Sequence, residues 1–114
     1  MTDLCLQVHP HRAPGLDLAA LRAACGQVAA SPIVSRYKEI AGEDGHPYVN
    51  FMFATETPGA LWRALKDRLY GDHDLGPELS GAAMAMCEGD NGWDDYLLLA
   101  HYDPSVPLSE PPTR

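Results

Sequence analysis

Five histidines, His9, His11, His46, His73 and His101, are the side chains of this chain best suited to chemistry near neutral pH. An imidazole titrates near pH 6.5, serves as a general acid or base, and is a frequent metal ligand. His9-Pro10-His11 sets two imidazoles two residues apart, a spacing at which an extended chain could offer both to one ion, although Pro10 also suits an ordinary turn. Asp72-His73-Asp74 offers a second group of hard ligands, which makes His9, His11, His73, Asp72 and Asp74 the metal candidates; whether any cofactor is bound is open. Tyr48 adds a phenol, so the ligand-binding candidates are His9, His11, His46, His73, His101 and Tyr48, with Tyr102 as an auxiliary donor.

Other motifs are weaker. Met84-Ala85-Met86-Cys87 contains soft ligands, but alternation along a strand would part the methionines from the cysteine. Glu88 to Asp95 is acidic without the ligand spacing of a calcium loop. There is no G-x-S-x-G, no phosphate-cradling glycine loop and no H-E-x-x-H, so no motif supports a catalytic residue. Cys5, Cys25 and Cys87 are odd in number and widely spaced, which excludes a disulfide framework or a paired-cysteine metal motif.

The elements that must position these groups follow from periodicity. Leu4, Leu6 and Val8 alternate as in a strand with one buried face. Asp17 is placed to cap a helix carrying Leu18, Leu21, Cys25 and Val28. A second strand is expected over Ile33–Ile40, a turn at Gly42–Gly45, and a third strand over Tyr48–Ala54. Thr57-Pro58 predicts a helix start, with the Thr57 hydroxyl as cap, Leu61, Leu65 and Leu69 on one face, and Gly71 as the end. Strands are expected over Ser80–Glu88 and Tyr96–Tyr102, joined by a turn at Asn91-Gly92.

This order makes an α+β fold and resembles the ferredoxin-like βαββαβ architecture with an additional C-terminal strand: an antiparallel sheet with two helices on one face. Residues 1–103 form the domain, and 104–114 a proline-rich C-terminal tail. The resemblance carries a geometric expectation. Strand directions place the loops bearing all five histidines at one end of the sheet, with Glu43, Asp44, Asp72, Asp74 and Asp103 near them.

Composition narrows the function classes. A net charge of −8 disfavours nucleic acid, and no apolar run is long enough to span a membrane. The N-terminal stretch lacks a basic region and carries Asp3, so it does not read as a secretory signal, and a cytoplasmic location is expected. With no catalytic motif, the leading reading is a non-enzymatic binding or protein-interaction module, expected as a homodimer acting on a partner protein or small ligand. The alternatives are a small enzyme using the His/Asp end, either a metal-dependent hydrolase or a proton-transferring isomerase, and an acidic inhibitor or immunity-type protein.

Overall fold

A computed structural model describes residues 1–112. Its sheet has five strands, β1 (Thr2–Val8), β2 (Arg36–Asp44), β3 (His46–Thr55), β4 (Ala83–Gly89) and β5 (Gly92–Ala100). They lie in the order β2-β3-β1-β4-β5 with every pair antiparallel. Three helices accompany them, α1 (Leu18–Ala29), α2 (Pro58–Leu65) and α3 (Leu75–Ala82), one more than the periodicity predicts.

Alternation decides which face is covered. Leu4, Leu6 and Val8 on β1, Val49, Phe51 and Phe53 on β3, and Ala83, Ala85 and Cys87 on β4 all join one core with Leu21, Cys25, Leu61, Leu65, Leu69 and Leu79 of the helical layer. Phe51 and Phe53 are fully buried at its centre. Replacing Phe51 by alanine would cost about 3–5 kcal/mol, because the removed ring leaves a cavity its neighbours cannot fill.

Local chemistry sets the element boundaries. Asp17 caps α1 as expected, its carboxylate accepting from Ala20 N at 3.0 Å. α2 begins at Pro58, but Thr57 makes no side-chain cap. Thr55 instead fixes the turn ahead of the helix: its hydroxyl accepts from Thr57 N at 2.9 Å and donates to Ile33 O at 2.6 Å, tying the end of β3 to the loop before β2. Past Leu65 the helix widens into a π turn over Lys66–Tyr70, closed by Gly71 N donating to Lys66 O at 2.7 Å. Leu69 stays in the core despite the wider turn.

Three boundaries depart from expectation. β2 starts at Arg36, three residues after Ile33, and runs through Gly42-Glu43-Asp44, so the turn contracts onto Gly45, whose φ is +76°. Ile33 and Val34 instead pack from the loop against the core. Ser80–Ala82, expected as strand, ends α3, and β4 begins only at Ala83. Gly76, Pro77 and Gly81 weaken the helical signal there. Gly76 is required by a close approach, since a Cβ would lie 2.1 Å from Tyr70 O. β5 starts at Gly92, four residues before Tyr96, and stops at Ala100.

No helix among the described residues is long and apolar enough to cross a membrane. The tail leaves β5 and returns along it, Ser109 N donating to Leu98 O at 2.7 Å. Thr113 and Arg114, the end of the expected tail, lie outside the described residues.

Candidate functional site

Because all the helices sit on one face, the other face of the sheet is lined by the opposite alternation. Cross-strand register arranges it in rows: Gly42 beside Tyr48; Ile40, Asn50, Gln7 and Met84; then Lys38, Met52, Cys5, Met86 and Leu98. The middle of this face is apolar and sulfur-rich, and Cys5 is only 4% exposed within it. Burial pushes the Cys5 thiol up to about 12, so it is a neutral packing group rather than a nucleophile. Cys25 and Cys87 are also buried.

Imidazoles and phenols gather beyond the upper end of these rows. His9 leaves β1 on the helix-free side, and the short 3-10 turn Pro10–Arg12 carries His11 and Arg12 outward. His11 stacks on His46, from the start of β3, with ring centroids 3.9 Å apart and planes 15° apart. His9 meets His11 at 6.1 Å, Tyr48 at 6.4 Å and Tyr102 at 5.6 Å. His101, just past β5, lies 4.3 Å from Tyr102. The Arg12 guanidinium stands 3.8 Å above the Tyr102 ring and anchors itself by donating from Nε to Gly81 O. Three segments distant in sequence therefore build one cluster.

Desolvation and neighbouring cations disfavour the charged forms of His9 and His11. Partial burial lowers the His9 pKa, and the neighbouring His11, Arg12 and His101 lower it further. His11 is lowered by desolvation, then by His46 and Arg12. His101 Nδ1 accepts from Asp103 N at 2.9 Å, so its neutral form carries the proton on Nε2. Tyr48 is held in place from below: its ring lies over Gly42, where a Cβ would fall 2.4 Å from the phenol.

His73 is not part of the cluster. It is fully exposed, and its ring pairs with its neighbour Asp74 at 3.3 Å. Asp72 serves α3 instead, its Oδ1 accepting from both Asp74 N and Leu75 N at 2.9 Å, and these bonds lower its pKa. The expected metal candidates are thus divided between a histidine cluster and a helix entry. Among the described residues no group of three His, Cys, Asp or Glu side chains is placed to hold a metal ion.

Sequence reasoning missed Arg12, Gln7 and Asn50 as supporting groups. It also missed Arg36, Lys38 and Trp93 at the opposite end of the same face. Arg36 and Lys38 were legible in principle, as two cations at alternate positions of a strand in an acidic chain.

Comparison with protein-family models, with curated proteins and with solved structures returns no match for this chain. What it can do must be argued from the side chains. An imidazole in its neutral form offers one donor and one acceptor, a phenol offers a hydroxyl, and Arg12 offers a single cation. Such a set hydrogen-bonds and stacks, and it contains no built nucleophile.

Proposed function

We propose that this protein is a non-enzymatic binding module, cytoplasmic, whose ligand-contacting end is the cluster of His9, His11, His46, His101, Tyr48 and Tyr102. The observation that carries the reading is the continuous ring contact among these groups, with the His11–His46 stack at 3.9 Å as its tightest element. Stacked rings and uncommitted imidazole nitrogens favour a planar polar ligand, which they recognise by stacking and hydrogen bonds.

The ferredoxin-like plan belongs to the same reading. Supporting it are the order β2-β3-β1-β4, with β1 between β3 and β4, and helices on one face only; β5 is then the added strand. Homodimerisation through the helix-free face is part of the proposal too. Its support is the row of Met52, Cys5, Met86 and Leu98, apolar side chains that no helix of the same chain covers.

A second reading, a proton-transferring enzyme, is favoured by one observation: His9 sits beside two phenols with its pKa lowered, a state suited to a general base.

The test is an NMR screen of polar metabolites against protein labelled in its histidine rings. Saturable movement of the His9, His11 and His46 ring signals without turnover supports the module. Turnover of the shifting compound supports the enzyme. Failure of every compound to move these signals rejects both readings, and light scattering that gives the single-chain mass of 12.4 kDa at high concentration rejects the dimer.

A further inference from the structure

At the lower end of the helix-free face, away from the histidines, lies a groove of about 630 Å3 lined by Asp3, Arg36, Lys38, Met52, Ala54 and Trp93. Its existence depends on curvature. Arg36 and Trp93 belong to β2 and β5, the two edge strands, with three strands between them. In a flat sheet, strands about 4.8 Å apart would hold those edges roughly 19 Å from each other. Two register shifts in the β4–β5 pairing, at Ala85/Met86 and Cys87/Gly89, bend the outer hairpin so that Trp93 becomes a wall of the groove that β2 bounds on the other side. The resulting volume is that of a small-molecule site.

The lining is chemically directed. Arg36 and Lys38 are both exposed, and neither side chain has an ion pair or a hydrogen bond among the described residues. The chain carries a net charge of −8, yet this groove sets two cations against the one carboxylate of Asp3. Beside it Glu88, on the neighbouring strand, accepts from Asp3 N through Oε1 at 2.6 Å. Trp93 leaves 39% of its surface in water, a large indole with a free flank, and Met52 supplies a polarizable thioether on the floor.

We infer that this groove binds a planar aromatic monoanion, its carboxylate held by Arg36 and Lys38 and its ring lodged between Trp93 and Met52. A guanidinium can bond a carboxylate through two parallel N–H donors, and the adjacent ammonium adds charge. Asp3 sets the limit on ligand charge, since a second anionic group would meet its carboxylate. The groove contains none of the histidine cluster and is tested apart from it, but it shares Met52 with the row proposed as the dimer face, so ligand and second copy compete for it.

The probe is 2-naphthoate, with 2-naphthamide as its uncharged counterpart, titrated into 15N-labelled protein. Trp93 and Trp62 give separate indole N–H signals, and buried Trp62 serves as the internal control. The expected result is saturable movement of the Trp93 signal by naphthoate, with little movement of Trp62 or of the histidine rings. The double variant R36Q/K38Q should weaken naphthoate about tenfold or more while leaving the weaker naphthamide unchanged. These side chains are exposed, so the variant keeps the fold, as its backbone spectrum will report. The inference is overturned if Trp93 does not respond to millimolar naphthoate, or if naphthamide binds as well as naphthoate. It is also overturned if the Trp93 signal moves only on dilution, which would assign the groove to a second copy of the chain.

Discussion

His9 Nε2 and Gln7 Oε1 stand 3.0 Å apart, and Gln7 Nε2 donates in turn to Asn50 Oδ1 at 3.0 Å. An amide that donates from its nitrogen to Asn50 presents only an acceptor to His9. His9 therefore donates from Nε2 and keeps Nδ1 as its basic nitrogen. Two residues of neighbouring strands, Gln7 and Asn50, thus select one tautomer of His9 in the candidate site. Replacing Gln7 by glutamate puts a carboxylate against the same nitrogen, which favours the imidazolium. The His9 ring signal should then titrate at higher pH in Q7E than in the parent; an unchanged or lower midpoint would refute the tautomer assignment.

Acid should destabilise the fold from the histidine end. His9 and His11 have folded pKa values below the ordinary 6.5, so the unfolded chain binds more protons as pH falls through that value. Their contribution is complete above pH 6.5 and is lost as pH drops toward their folded values. Urea midpoints should fall from pH 7.5 to pH 5, and H9Q/H11Q should flatten that dependence. Asp72 and Asp103, held below 3.8 by hydrogen bonds, act only in a more acidic window.

Tyr48 owes its position to Gly42. G42A places a methyl where the phenol lies, on an exposed edge strand that can absorb the change. The His9 and Tyr48 ring signals should both move, while the core signals of Phe51 and Phe53 stay in place. Movement of Tyr48 without His9 would show that the two rings are not coupled.

Tyr70 presents the opposite case, a buried hydroxyl with no hydrogen-bond partner among the described residues. Its ring packs edge-on against Trp62 at 5.9 Å, and burial pushes its pKa up. Y70F removes the unpaired oxygen and keeps the ring. Stability should be unchanged or rise by about 1 kcal/mol in urea unfolding; a clear loss would reveal a partner for that hydroxyl.

Much of the scaffold was legible because strong local signals agreed with packing. The alternation of Leu4, Leu6 and Val8, the Asp17 cap and the Pro58 helix start each name a cause that survives in the folded chain. α3 was hidden because Gly76 answers to the Tyr70 carbonyl rather than to helix propensity. Thr57 reads as a cap from local spacing, but its hydroxyl makes no cap, and the entry to α2 is held instead by Thr55, which reaches Ile33, 22 residues away. Topology grouped the histidine loops at one end but could not separate His73 from the others. That separation follows from α3, whose residues Leu75–Ala82 stand between the His73 loop and the start of β4. The groove was out of reach, since strand bending comes from register shifts between β4 and β5 that no single segment encodes.

The three cysteines, finally, give the molecule internal clocks for its own opening. Cys25 and Cys87 belong to the core beneath the helices, whereas Cys5 lies in the helix-free face between Met52 and Met86. Burial holds both Cys5 and Cys25 near a pKa of about 12, so each reacts with a thiol reagent only when its surroundings part. Labelling at Cys5 should be faster than at Cys25, because exposing it requires only that the sheet surface loosen. Equal rates would mean that the sheet opens only when the whole domain unfolds.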